Sequence, residues 1–272
     1  MTGAVASSVA GLWVQRRPGP AGATRVVLVH GAMDRASGFA KLTRRLGDLE
    51  VVRYDRRGYG RSIDAGVAAD LAVHAADLAR IVAATGDAPA VVVGHSFGGL
   101  VALAAAVAHP ELISAVGAYE APTPWASWWR PPAPRWGPAG GTPAEIAEAF
   151  VRQAIGDRLW ERLPGGTRAE RRAEGPALLA DLAAMRSTPG FSPEDVDVPV
   201  TAGLGTASDP WQIRAARELA ARVPLGELVV LEGATHAAHL SAPDAFAGFV
   251  RRAVELVALS GSPTPRSVES SA

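Results

Sequence analysis

A serine between glycines, in Gly94-His95-Ser96-Phe97-Gly98-Gly99, stands where a β-branched apolar run, Ala90 to Gly94, gives way to a strongly helical stretch. Small residues two places before and two after Ser96 let the backbone turn sharply enough to lift a hydroxyl out of a strand end. A serine hydroxyl is a weak nucleophile until a base takes its proton, so the pattern calls for a histidine on a loop at the same sheet edge. Gly233-Ala234-Thr235-His236 follows the last strand-like run and supplies one. A phosphate-binding loop would be the other use of such a turn, but no lysine follows it and the spacing of neither nucleotide fingerprint is met. An ordinary glycine-rich turn is the bland alternative, and the strand before it with the helix after it argue against that.

Negative charge building on a carbonyl oxygen must be met by fixed donors. The Phe97 N–H, directly after Ser96, is the first. His30-Gly31-Ala32-Met33 ends an earlier strand-like run and offers Ala32 as the second, with Met33 as the alternative and a pocket candidate. Of the remaining histidines, His30 and His95 sit at strand ends and suit structural hydrogen bonds, while His74 and His109 lie on helical stretches, facing solvent or capping. His239, three residues after His236, is its rival or a pocket group. Arg56, Arg57 and Arg61 form the one local basic cluster and read as a solvated loop face.

The elements that must hold these groups alternate. Arg25 to His30, Val51 to Tyr54, Ala90 to Gly94 and Ile113 to Glu120 read as strands separated by helical stretches, which implies an α/β fold with a mostly parallel sheet. After Glu120 the composition shifts to Pro and Trp, with helical patterns at residues 142–155 and 167–186. The rhythm resumes with strands at Val198–Gly205 and Glu227–Leu231 and helices at residues 211–222 and 243–256. The expected organisation is a core of residues 10–120 and 197–259, a helical lid of residues 121–196, and a disordered tail, 260–272, too polar to bury anything. Trp125, Trp128, Trp129 and Trp136 give the lid large apolar faces, and the first three are candidates for a pocket that takes a hydrophobic acyl or aromatic group.

With 272 residues the chain can bury a sizeable core. It has no cysteine, which rules out thiolate catalysis, a cysteine zinc site and disulfides. Twenty-seven basic residues, only Lys41 a lysine, balance 27 acidic ones, so no global field gathers nucleic acid or anionic membrane. The longest apolar run, Leu100 to Ala108, is far short of a membrane span. A cytoplasmic protein, monomer or homodimer, is expected, with a small-molecule substrate and neither nucleic acid nor membrane as partner.

The turn at Ser96, His30-Gly31, the segment Tyr54-Asp55-Arg56-Arg57-Gly58-Tyr59-Gly60-Arg61-Ser62 and Gly233 to His236 together resemble the α/β-hydrolase superfamily from about Leu12 to Leu256. The resemblance implies a twisted, mostly parallel sheet flanked by helices, with a helical lid inserted after the sixth strand and Ser96 on a nucleophile elbow. The third member of such a triad normally stands three residues after a glycine closing the strand beyond the lid, where this chain has Ser208, with Asp209 one place late and beside Pro210. In haloalkane dehalogenases and the related coelenterazine luciferases the acid is a glutamate at the end of the strand beside the nucleophile's own, and Glu120-Ala121-Pro122-Thr123-Pro124-Trp125 resembles that arrangement. Dehalogenases and epoxide hydrolases attack with aspartate, so the resemblance moves the acid without importing the reaction. Glu120 and Asp209 are both candidates; their bland alternatives are a lid anchor and a helix N-cap.

The chemistry expected is hydrolysis through an acyl-enzyme, of a small, largely apolar ester or of a lactone or thioester, with no cofactor or metal. The same fold and triad also serve C–C bond hydrolysis and cofactor-free perhydrolysis, and the fold can be kept as a small-molecule receptor without turnover.

Overall fold

The computed structural model describes residues 4–129, 140–187 and 189–260. Strands β1 (Val5–Val9), β2 (Leu12–Arg17), β3 (Arg25–Val29), β4 (Glu50–Tyr54), β5 (Ala90–His95), β6 (Ile113–Tyr119), β7 (Val200–Gly205) and β8 (Gly226–Leu231) join in one sheet, ordered β1-β2-β4-β3-β5-β6-β7-β8. β1 and β2 form an antiparallel hairpin with Val9 opposite Leu12, and β2 runs antiparallel to β4. From β4 to β8 every neighbouring pair is parallel.

Parallel strands need crossovers, and the crossovers cover both faces of the sheet. Helices α2 (Leu71–Thr85), α3 (Phe97–Ala108) and α8 (Pro210–Arg222) pack on one face, where Leu78, Ile81, Leu100, Leu103 and Leu219 meet Val27, Val29, Val92 and Val116. The short α1 (Ala40–Thr43) and α9 (Ala238–Ser241), with the long α10 (Pro243–Ser260), lie on the other, where Leu42, Phe246, Phe249 and Val250 meet Val26, Leu28, Val91 and Val93. Burial on both faces is why β3 and β5 read as unbroken valine-rich runs rather than alternating ones. Each such side chain, fully buried, contributes about 1.5–3 kcal/mol.

The β5–α3 joint is tight enough to require glycine. A Cβ on Gly94 would lie 2.1 Å from the Gly98 carbonyl oxygen, and one on Gly98 would lie 2.2 Å from that of Val29. These are backbone atoms that cannot step aside, so Gly98→Ala is expected to cost about 3 kcal/mol. The loss should appear in urea denaturation as a lower midpoint at unchanged slope.

Among the described residues between β6 and β7 lie four α-helices, α4 (Pro143–Ile155), α5 (Asp157–Arg162), α6 (Gly165–Ala173) and α7 (Gly175–Ala184). α4 starts on a Thr142–Glu145 capping box. The single helix expected over residues 167–186 is two, divided at Glu174-Gly175-Pro176. Gly175 passes so close to the start of α4 that a Cβ would meet the Pro143 carbonyl oxygen at 2.1 Å, and Pro176 stands in the first turn of α7. The insertion has its own apolar cluster, in which Val151, Trp160, Leu178 and Leu182 pack with Tyr59 and Met33 of the core. Trp136 and the tail beyond residue 260 fall outside the described residues. Among those described, no helix is long and apolar enough to cross a membrane.

Candidate active site

Non-glycine residues rarely take a left-handed φ. Among the described residues four do: Ala10 in the β1–β2 turn, and Met33 (53°), Ser96 (54°) and Glu120 (45°), which follow the carboxyl ends of the neighbouring strands β3, β5 and β6. Strain of this kind persists where surrounding structure over-determines it, and here it clusters at one sheet edge. Ser96 bonds its N–H to the Tyr119 carbonyl at 2.9 Å, and Glu120 bonds its own to that of Gly203 at 2.9 Å. Within the run from Ala90 to Leu100 every residue is buried except Ser96, which is half-exposed.

The loop after β8 brings His236 to this edge. Its Nδ1 lies 2.7 Å from Glu120 Oε2, and the other carboxylate oxygen of Glu120 accepts the Gly205 N–H at 2.8 Å. Glu120 is 2 % exposed, so it is an acceptor held in place at both oxygens. With the Nδ1 proton on the carboxylate side, Nε2 is left as the imidazole's basic nitrogen. Two further bonds hold the backbone of the loop: Tyr119 Oη donates to the Thr235 carbonyl at 3.0 Å, and His95 Nε2 donates to that of His236 at 2.7 Å. Burial, with repulsion from His239 and His236, pushes the His95 pKa well below its ordinary value, which keeps that ring neutral with its proton on the carbonyl side.

Asp209 stands away from the His236–Glu120 contact. It is the exposed N-cap of α8, in a capping box with Gln212, to whose Oε1 its N–H donates at 3.1 Å. His239 is 2 % exposed, and its Nε2 meets Asp34 Oδ2 at 2.9 Å. That bond holds the Asp34 carboxyl well below the usual range despite its desolvation. Asp34, His95 and His239 bring metal-ligating atoms within 4.8 Å of one another. The one carboxylate among them is engaged with His239, and His95 Nε2 is engaged with the His236 carbonyl.

Phe97 opens α3, and its N–H is one of the first four that helix geometry leaves without an intrahelical partner. Gly31 lies against the serine: a Cβ there would be 3.1 Å from Ser96 Cβ. Ala32 follows, half-buried, and Met33 packs under the insertion with Tyr59, Trp160 and Leu178.

The tryptophans divide. Trp129 is buried against Trp211 at 5.4 Å between ring centres, with its Nε1 donating to the Met185 carbonyl at 3.1 Å. Half-buried Trp128 donates to Glu218 and carries the Arg214 guanidinium over its ring. Half-buried Trp125 faces Phe191 and packs against the core cluster beside α3.

Two expectations from residue type are corrected. Arg56 and Arg57 of the basic cluster are not on a solvated face, whereas Arg61 is exposed. Arg56 is 1 % exposed and pairs with Asp181, Arg57 forks onto Asp77, and Arg61 lies over the Trp13 ring at 4.2 Å. His74 neither faces solvent nor caps its helix, whose N-cap is Asp70. It is buried, 3.3 Å from Asp181. Nothing in the local sequence marks Asp181, since its partners lie more than 100 residues away in the chain.

The sheet order, the strained serine after β5 and the histidine loop after β8 define a hydrolase-type architecture. The chain matches the Alpha/beta hydrolase family over residues 26–249 and belongs to it, as an enzyme of hydrolase type. Lipase LipV of Mycobacterium tuberculosis is 37% identical over 108 residues, a stretch that spans 37% of this chain and only 38% of the lipase. An alpha/beta hydrolase from Sphaerobacter thermophilus superposes with a TM-score of 0.68 at 28% identity, over 93% of this chain and 99% of that one. The enol-lactonase from Burkholderia xenovorans superposes with a TM-score of 0.65 at 22% identity, over 92% and 100%.

Proposed function

We propose that the protein is a serine hydrolase acting on small, largely apolar carboxylic esters through an acyl-enzyme. The observation that carries the reading is the 2.7 Å contact between His236 Nδ1 and the buried Glu120 carboxylate, at the sheet edge where Ser96 is the strained residue. In this reading Ser96 Oγ attacks the ester carbonyl carbon while its proton passes to His236 Nε2. Glu120 keeps the imidazole in the required tautomer and stabilises the imidazolium. The Ala32 and Phe97 N–H groups take the oxyanion. Collapse expels the alcohol, which leaves with the proton from His236. A water, deprotonated by the same nitrogen, then releases the acid and restores Ser96. The likeness to a lipase supports an ester, and the half-buried Trp125 beside Phe191 supports an apolar acyl or alkyl group.

The test is covalent. A fluorophosphonate probe should label the protein once, on the peptide containing Ser96, and p-nitrophenyl esters from acetate to octanoate should be turned over with kcat/KM greatest for a short chain. A protein that takes no label at Ser96 and hydrolyses none of the series is not the esterase proposed.

A further inference from the structure

Arg56 touches both halves of the oxyanion site, and what neutralises it belongs to the insertion. Its Nε donates to the His30 carbonyl at 2.9 Å, its Nη2 donates to that of Gly31 at 3.1 Å, and its guanidinium carbon lies 4.8 Å from the centre of the Phe97 ring. The Arg56 backbone N–H donates to His30 Nε2 at 2.8 Å, which leaves His30 Nδ1 to donate to the Gly31 carbonyl, also at 2.8 Å. Burial and the neighbouring Arg56 charge drop the His30 pKa to about 3, so this ring is neutral and that tautomer is the one present.

Two side-chain donors therefore converge on the Gly31 carbonyl, which also accepts the Asp34 N–H at 3.4 Å. That carbonyl and the Ala32 N–H belong to one peptide unit. The chain has no cis peptide bond among its described residues, and in a planar trans peptide the two groups point in opposite directions. Holding the carbonyl toward Arg56 aims the Ala32 N–H the other way, and hydrogen bonds accepted by a carbonyl strengthen its own amide as a donor.

A buried guanidinium needs a counter-charge. It comes from Asp181 on α7, whose two oxygens accept from Arg56 Nη2 at 2.6 Å and Nη1 at 3.1 Å. Tyr59 Oη donates to Asp181 at 2.7 Å and His74 Nε2 lies 3.3 Å away, so all the partners of this carboxylate are in the core. The outer edge of the loop is tied to the insertion as well, through Arg171 Nη1 to the Met33 carbonyl at 3.3 Å and Arg35 Nε to Glu174 at 2.6 Å.

We propose that Asp181 is a positioning residue for hydrolysis: through Arg56 it holds the Gly31–Ala32 peptide and backs the Phe97 ring, so that seating of α7 on the core sets the oxyanion hole. The proposal rests on the serine-hydrolase reading and adds that the insertion governs the chemical step as well as substrate access.

The experiment compares wild type with Asp181→Asn and with the double variant Arg56→Met/Asp181→Leu. The double variant replaces a buried ion pair by apolar side chains, a change that commonly preserves stability. In both, kcat for p-nitrophenyl butyrate should fall about 30-fold, less than the 100-fold or more expected for outright loss of an oxyanion donor. KM should stay within about two-fold, because the ground-state carbonyl gains little from the hole. Affinity for a trifluoromethyl ketone, which forms a tetrahedral oxyanion on the serine, should fall by the same factor as kcat. The Ala32 amide should shift in a nitrogen-edited NMR spectrum and exchange faster. A folded variant with unchanged kcat and an unmoved Ala32 signal overturns the proposal, as does a loss confined to KM or to melting temperature. If the wild type hydrolyses no ester, the hydrolase reading fails, and the Ala32 signal of the variants still decides whether Asp181 holds that peptide.

Discussion

Ser96→Ala is expected to lower kcat/KM for p-nitrophenyl esters by at least about 10,000-fold, with KM little changed and fluorophosphonate labelling abolished. The effect is large because no thiol and no exposed neighbour can take the place of the hydroxyl: the chain contains no cysteine, and the residues flanking Ser96 from Ala90 to Leu100 are buried. Alanine keeps the strained turn, since the cost of φ 54° falls on Cβ and is common to both residues. The melting temperature should therefore move by no more than a few degrees. His236→Ala should lose a similar factor, and the double variant hardly more than either single one, because nucleophile and base act as a unit. Retention of more than about a tenth of wild-type activity by Ser96→Ala, a loss of less than about 1.4 kcal/mol in transition-state stabilisation, would remove the serine from the mechanism.

Groups that carry their own local signature were readable before the fold. Ser96 announces itself through Gly94 and Gly98, which are needed because a strand and a helix meet there at backbone contact. His236 announces itself as a histidine shortly after a terminal strand. The hairpin of β1 and β2 did not show, because its outer strand is exposed at every position but Val9, which is half-buried, and so lacks the alternation that burial on one face imposes. The break at Glu174 has a local mark in Gly175-Pro176, outweighed in the sequence by the helix formers on either side, and the approach of Gly175 to Pro143 fixes it.

Arg56 and Asp181 show the general limit. An arginine among arginines in a polar loop looks solvated, and an aspartate in a helical stretch looks like surface. Only the fold reveals that two residues 125 positions apart come together away from water. Long-range ion pairs of this kind leave no periodicity, because neither partner's position is set by the element it sits on. The same reasoning explains His74, whose helix was legible while the face it turns toward Asp181 was not.

Glu120→Gln should cost about 10,000-fold in kcat, the loss expected when a triad histidine is left in the wrong tautomer. Glutamine is nearly isosteric and can keep one of the two bonds by accepting the Gly205 N–H with its carbonyl oxygen. Its amide nitrogen then faces His236 Nδ1 as a donor. Two donors cannot share that contact, so Nδ1 becomes the acceptor and the ring proton moves to Nε2, the nitrogen required to receive the proton of Ser96. Geometry is preserved and the base is lost. Asp209→Asn tests the other carboxylate and should leave kcat within about two-fold, since an exposed N-cap loses almost nothing when Asp becomes Asn. Asp209→Ala should cost about 1 kcal/mol of stability without touching activity. The pair of measurements separates the two acids cleanly. A large loss in Asp209→Asn with Glu120→Gln active would transfer the role to the residue after β7, and the 2.7 Å bond to Glu120 would then be an anchor for the histidine loop instead of the source of its basicity.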